Sequence, residues 1–237
     1  MMTTMITTMT IARPDLSEAG FLRLLTWLSP AFPTGGFAYS HGIEWAVETG
    51  DARSIAGIVA WIVDILEEGS GRNDAILLRH AHRAAAKDDA TALLDVVELA
   101  AAIPGCRERY LEATAQGNAF LAAAAAWPCS ILDALAGHDV AYPVAVGAVA
   151  AAHGVDEDRA VLGFLHTFAA NLVSAAIRII PLGQQQGLRI LSALEPVLVA
   201  VANDSRDLTL DEIGSGAIRA DLAAMHHETQ YTRLFRT

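Results

Sequence analysis

The spacing of hydrophobic residues along this chain is helical almost throughout. Apolar side chains recur every three or four positions at Phe21, Leu24, Leu25 and Leu28, and the same spacing returns between Ile55 and Leu66. No run of alternating polar and apolar residues is bounded by turn signals, so no β-sheet is expected. Alanine contributes much of the 53% hydrophobic content, and it favours helices that approach one another closely.

Turn-forming residues divide this pattern into separate helices. A capping signal at Asp15–Glu18 precedes the first, Gly50 is a C-cap for a short helix over 43–48, and Asp51 is a candidate N-cap for the next. Further helices are predicted at about 73–86, 89–102, 106–126, 130–136, 143–153, 157–180, 184–202 and 215–228. The sequence therefore predicts a single-domain, all-α bundle of about ten helices over 21–237, with 1–20 as a disordered N-terminal tail.

One uncharged stretch, from Ala160 to Ile177, is long enough to raise the question of a membrane span. It contains His166, Asn171 and Ser174, and charged residues flank it closely. This polarity favours a buried central helix, so no membrane span is predicted.

The charge of the chain limits the classes of partner that it is expected to bind. The formal net charge is −11, which disfavours nucleic acids and anionic membrane surfaces because both attract basic proteins. The first 20 residues have no compact apolar stretch behind a basic segment, so no secretory signal is predicted. Cys106 and Cys129 are too far apart for a CxxC motif, which favours a reduced, cytoplasmic protein.

The segment "PAFPTGGFAYSHG", from Pro30 to Gly42, combines prolines, glycines, aromatics and a Ser-His pair. Gly35 and Gly36 permit backbone angles that other residues avoid, and the prolines stiffen the approach. A rigid turn would display Phe37, Tyr39 and His41 as anchors for a partner protein. The alternative is an ordinary loop whose two aromatic residues fill the core.

Catalytic and cofactor motifs are weak. Ser40 is next to His41, but adjacent residues rarely place a base on a hydroxyl, and no nucleophile-elbow or phosphate-loop sequence occurs. A hydrolase that uses Ser40, His41 and a distant carboxylate remains the alternative to a non-catalytic protein. No cofactor is expected.

The eight histidines do not have the spacing of metal ligands on a helix. His80 and His82 lie two positions apart, His226 and His227 are adjacent, and no H-E-x-x-H sequence occurs. A complete metal site within one chain is not predicted, although a site completed across a symmetric dimer stays open.

Three segments, in order, resemble the urease accessory protein family UreF. They are "SPAFPTGGFAYSHGIEWAVETG" near the N-terminus, "NLVSAAIRIIPLGQQQGLRIL" in the centre and "MHHETQYTRLFRT" at the C-terminus, and "TAQGNAFL" is also similar to a family segment. The resemblance spans about residues 21–237. It implies an all-α, dimeric scaffold without catalytic activity, which binds the UreD-type protein (also called UreH) and recruits and modulates the GTPase UreG. That assembly delivers nickel to apo-urease. A nickel-storing protein that uses His226 and His227 is a further variant.

The resemblance also assigns residues. The predicted partner-binding set joins the first and last segments: Gly35, Gly36, Phe37, Tyr39, Ser40, His41, Glu44, His226, His227, Glu228, Gln230, Tyr231, Arg233, Leu234 and Phe235. Matching residues of the central segment, interpreted as structural, are Asn171, Arg178, Pro181, Gly183 and Gln184. His226 stands where many relatives carry arginine, and an imidazole does not replace a permanent guanidinium.

Overall fold

A computed structural model of the chain describes residues 16–237. Residues 1–15, which hold most of the predicted tail and the Asp15 end of the capping signal, lie outside the described residues. Leu16–Gly20 are helical, so the first helix begins five residues before the predicted domain boundary at residue 21.

The described residues form an all-α bundle without strands, which confirms the predicted fold class. Short 3-10 helices occur at Gly36–Ala38 and Leu210–Glu212. The α-helices are α1 (Leu16–Trp27), α2 (Ile43–Thr49), α3 (Ile55–Glu68), α4 (Ser70–Ala86), α5 (Ala90–Ala102), α6 (Arg107–Ala124), α7 (Ser130–Ala134), α8 (Tyr142–Ala152), α9 (Glu157–Ile179), α10 (Gln184–Asp204) and α11 (Ile218–His227).

The caps of α2 and α3 agree only in part with those predicted from the sequence. Gly50 ends α2 in the left-handed conformation, with φ 99°, as predicted. The prediction for Asp51 was wrong, because the hydroxyl of Ser54 accepts the hydrogen bond from the Gly57 main-chain nitrogen and so caps α3. Asp51 is instead paired with Arg219 of α11.

The centre of the bundle is α8, whose side chains are almost all buried against α4, α6 and α9. Small residues make this packing possible. A Cβ atom added at Gly147 would lie 2.3 Å from the carbonyl oxygen of Leu78, and one at Gly117 would lie 1.9 Å from that of Val140. Both distances are far inside van der Waals contact, so the helices approach through these glycines.

Helix α9 contains the uncharged stretch discussed above. By length and composition alone it could cross a membrane, but half of its most apolar window is buried in the protein. Phe164, Leu165 and Leu172 are in the hydrophobic core, which confirms the prediction of a buried central helix. The C-terminal half of α9 carries Asn171 and Arg178 to the loop that precedes α2.

Candidate partner-binding site

The loop between α1 and α2 is shaped by two glycines in the left-handed region. Gly35 has φ 76° and Gly42 has φ 77°, and His41 between them has φ 57°. A Cβ atom at Gly42 would also lie 2.9 Å from the main-chain nitrogen of Ala224 in α11. Gly42 is therefore required both by its backbone angle and by the close approach of α11.

Gly36 is constrained in a different way from the one that the sequence predicts. Positive φ angles fall on Gly35 and Gly42 and not on Gly36. A Cβ atom at Gly36 would lie 3.0 Å from the side-chain amides of both Asn171 and Gln116. Space, and not a left-handed backbone, limits the residue at this position.

The loop does not display its side chains as one group. Phe37 is 70% exposed, but Tyr39 is only 8% exposed, and Ser40 and His41 are also buried. The expectation that Tyr39 and His41 are presented to solvent was therefore wrong. The structure agrees with the core-filling alternative for Tyr39 and with the displayed aromatic for Phe37.

The C-terminal segment 228–237, called the tail below, is hydrogen-bonded to this loop and to α2. Glu44, in the first turn of α2, accepts hydrogen bonds from the main-chain nitrogens of Leu234 at 2.7 Å and Phe235 at 2.9 Å. Its carboxylate is also 3.2 Å from Nε2 of the buried His227. One carboxylate of the loop motif therefore holds three groups of the C-terminal motif.

A second buried carboxylate extends this contact to α6. Glu108 lies 2.8 Å from Nδ1 of His227 and accepts a hydrogen bond from Arg233 at 2.7 Å. The main-chain nitrogen of Glu108 in turn donates to the carboxylate of Glu228. His227 thus bridges α2 and α6, and the tail runs over the junction.

The end of the tail is bonded to the loop backbone. The main-chain nitrogen of Ser40 donates to the Thr237 carbonyl at 2.8 Å, and the Ser40 hydroxyl donates to the same oxygen. The main-chain nitrogen of Arg236 donates to the Ala38 carbonyl at 2.8 Å. The Ser40 hydroxyl is therefore used in fixing the tail.

The imidazole of His41 does not share its contacts with Ser40. Its Nε2 lies 2.7 Å from the hydroxyl of Ser70, and its Nδ1 contacts Glu112 and Arg109. Burial and the neighbouring Arg109 lower the pKa of His41. Because no hydrogen bond joins Ser40 to His41 in the described residues, the geometry gives no nucleophile–base pair.

Glu112 is a third buried carboxylate in this region. It accepts hydrogen bonds from Arg109 at 2.5 Å and from the Thr237 hydroxyl at 3.0 Å. Burial alone would raise the pKa of Glu112, but Arg109, His41 and Thr237 lower it to about 2. Glu112 is therefore ionised where it holds the tail.

Arg178 of α9 connects all three sequence segments. Its guanidinium donates to the Phe37 carbonyl at 2.6 Å and lies 4.4 Å from the centre of the Phe235 ring. Of the other matching central residues, Asn171 lies beside Gly36, and Gly183 is the N-cap of α10. The central segment therefore contacts both the loop and the tail.

The remaining residues of the C-terminal segment lie towards solvent. Tyr231 is fully exposed, Leu234 is 65% exposed, and Arg233 is partly exposed. His226 stacks on Trp45 with ring centres 5.0 Å apart. Phe37, Tyr231 and Leu234 make part of the outer surface of the docked loop and tail apolar or aromatic, and Arg233 adds a positive charge. We call Phe37, His226, Tyr231, Arg233 and Leu234 the loop–tail face.

Two charged residues of this site were missed by the sequence reasoning. Glu108 and Glu112 are one helical turn apart on α6 and are both less than 9% exposed. The spacing of four, with Arg109 between them, was the available signal, because it places both carboxylates on one helix face. Nothing in the sequence showed that this face meets the tail.

Within residues 16–237, no group of three or more His, Cys, Asp or Glu side chains is arranged to hold a metal ion. The buried carboxylates described above instead take hydrogen bonds and ion pairs from the tail and from α6.

Comparison with known proteins identifies the family of the chain. The UreF family model matches residues 52–195. The chain is similar to a urease accessory protein UreF of Bradyrhizobium sp. strain ORS 278, with 55% identity over 222 residues and 92% of each chain covered. It is also similar to UreF proteins of Bradyrhizobium sp. strain BTAi1 (51% identity, 95% of each chain) and Rhodopseudomonas palustris strain BisB5 (49% identity, 96% of each chain). The family model and these relatives show that the chain belongs to the UreF family of urease accessory proteins.

Proposed function

We propose that this chain is a non-catalytic scaffold in urease maturation, which binds partners through the loop–tail face. The partners are the UreD/UreH-type accessory protein and the GTPase UreG, whose GTP hydrolysis the scaffold modulates. The complex delivers nickel to apo-urease in the cytoplasm. Family membership supports the role in urease maturation, and the docking of the tail on the loop supports the position of the face.

The observation that carries this proposal is that the Glu44 carboxylate binds the tail. The carboxylates of Glu44, Glu108 and Glu112 accept hydrogen bonds from the tail. Many polar groups of the tail are therefore already paired within the protein. Three of the exposed side chains of the face, Phe37, Tyr231 and Leu234, are apolar or aromatic. Such side chains on a fixed backbone provide binding energy at protein interfaces with little loss of conformational freedom.

The same geometry argues against the hydrolase alternative. Ser40 is fully buried, and its hydroxyl donates to the Thr237 carbonyl and not to His41. His41 is bonded to Ser70 and Glu112. A substrate would have to displace the tail before it reached Ser40, and the hydroxyl would still lack its base.

The partner-binding role can be tested with surface variants that leave the tail docked. Phe37→Ala with Leu234→Ala removes two exposed side chains, and Leu188→Ala removes an equally exposed leucine from α10. We expect pull-down of UreG by the complex with the UreD-type protein to fall at least about tenfold for the double variant, since anchor residues contribute about 2 kcal/mol or more. Leu188→Ala should bind like the parent. Equal binding by all three proteins would contradict the proposal.

We also propose that the scaffold is a homodimer, as the family resemblance implies. Light scattering of the full chain should then give twice the protomer mass of 25.1 kDa. A protein that stays at one protomer mass, with and without the UreD-type partner, would contradict this part of the proposal.

A further inference from the structure

A cavity with several polar and charged residues in an otherwise apolar lining lies between α4, α6 and α11. Its volume is about 240 Å³, and its lining includes Asn73 and Asp74 of α4, Arg109 of α6, and Asp221 and Met225 of α11. Each water molecule in the liquid takes about 30 Å³, so the cavity has room for the head group of a long side chain.

Asp74 is the notable group in this cavity. Within residues 16–237 its carboxyl accepts no side-chain or main-chain hydrogen bond and forms no ion pair, although Arg109 is near. Burial raises the pKa of Asp74 to about 7; Arg109 works against this shift and Glu112 adds to it. Asp74 is half-buried, and its unpaired carboxyl lines the cavity, where it would attract a cation that enters.

Arg109 does not act as that partner. Its guanidinium is bonded to Glu112 at 2.5 Å and contacts Nδ1 of His41. Asp221, on the opposite wall, accepts a hydrogen bond from the Ser215 hydroxyl through one oxygen. With Arg109 balanced by Glu112, Asp74 and Asp221 leave the cavity with an excess of negative charge.

Asn73 adds a directional donor to the same wall. Its side chain is 5% exposed, and its amide oxygen accepts a hydrogen bond from the Gly214 main-chain nitrogen at 3.2 Å. Among the described residues, its amide nitrogen donates no hydrogen bond. A ligand that fits must therefore bring a cation for Asp74 and an acceptor for Asn73.

We propose that this cavity receives a basic side chain, arginine or lysine, presented by a partner protein. The cationic head pairs with Asp74, the main-chain carbonyl of the same partner residue accepts from Asn73, and Met225 and Ile103 pack along its methylene groups. This inference does not rest on the proposed function, because it concerns other side chains and a different ligand chemistry from the loop–tail face.

The experiment uses the full chain labelled with ¹³C on its methionine methyl groups. Met225 is the only methionine after residue 9, so one signal reports on the cavity. N-acetyl-arginine N-methylamide, which carries both a guanidinium and main-chain carbonyls, should shift the Met225 signal in a saturable way. The neutral citrulline analogue has nearly the same shape and should bind at least about tenfold more weakly, since it has no charge to pair with Asp74.

Variants and pH separate this site from general attraction to an acidic protein. Asp74→Asn should weaken arginine binding at least about tenfold, whereas Asp95→Asn, an exposed position on α5, should leave it unchanged. The groups that face Asp74 are Arg109 and Glu112 from α6, Asp221 from α11, and His41 through Arg109. Because Asp74 ionises around neutral pH, affinity should rise up to about tenfold between about pH 6 and about pH 8.

Three results would overturn the proposal. One is a Met225 shift that does not saturate by about 50 mM arginine probe, where a millimolar site is filled. The others are equal binding of the citrulline probe and unchanged binding by Asp74→Asn. None of these would affect the proposed function, because UreG pull-down by the loop–tail variants is measured separately.

Discussion

Replacing Glu44 by glutamine tests whether a single carboxylate fixes the tail. The side chain is nearly the same size, so the packing of α2 should be kept. Only one of the two oxygens remains an acceptor, while the main-chain nitrogens of Leu234 and Phe235 both need one. One of those N–H groups then faces an amide N–H₂, and the link to His227 is also weakened.

The expected cost follows from these bonds. A hydrogen bond to a charged group contributes about 1.5–3 kcal/mol, and a neutral one about 1 kcal/mol, so one bond is lost and the other is weakened. A buried donor without an acceptor adds to this cost. The total is roughly 2–5 kcal/mol, and at about 1.4 kcal/mol per tenfold the undocked population of the tail rises about 30-fold to about 4,000-fold.

Hydrogen exchange and trypsin cleavage after Arg233 and Arg236 both report on tail docking. We expect Glu44→Gln to exchange and be cleaved faster in 228–237, while circular dichroism shows unchanged helix content. Glu98→Gln, at an exposed position on α5, is the matched control and should behave like the parent. If the tail of Glu44→Gln is as well protected as that of the parent, the reasoning about this carboxylate is refuted.

Other predictions concern the core, the support from α9 and acid stability. Gly117→Ala places a methyl group 1.9 Å from the Val140 carbonyl and should cost about 3 kcal/mol or more in urea unfolding, whereas Gly183→Ala, with open space around it, should be nearly neutral. Arg178→Lys should speed hydrogen exchange of the tail several-fold, because lysine replaces neither the stacked guanidinium nor its fixed hydrogen bond. The pKa of Glu112 is lowered from 4.5 to about 2, so its contribution to stability is present above about pH 4.5 and is lost as the pH falls towards about 2; Glu112→Gln should flatten the pH dependence of unfolding in that window. An unchanged profile for Glu112→Gln, or normal stability of Gly117→Ala, would contradict these arguments.

The fold could be predicted from the sequence because its determinants are local. The spacing of apolar residues placed the helices to within a few residues, and Gly50 ended α2 as expected. Helix starts were harder, as Ser54 and Asp51 show, because two nearby residues both have capping side chains and tertiary contacts choose between them.

The candidate site was predicted only in part, because its main contacts join residues far apart in the chain. Phe37 and Leu234 are exposed, but Tyr39 and His41 point inward. Which loop residues are covered depends on the tail, and the tail is held by Glu108 and Glu112 of α6. A single sequence carries no signal for such pairing beyond the helical spacing of the two carboxylates.

Nickel-dependent activation of urease in a reconstituted system tests the central claim most directly. Phe37→Ala with Leu234→Ala should reduce activation below about one tenth of the parent level, by loss of anchor side chains alone. Ser40→Ala should keep at least about half of it, because the main-chain bond from residue 40 to Thr237 remains and the lost hydroxyl bond is worth about 1 kcal/mol. If Ser40→Ala abolishes activation while the double surface variant retains it, the loop–tail face is not the functional surface and the scaffold account is contradicted.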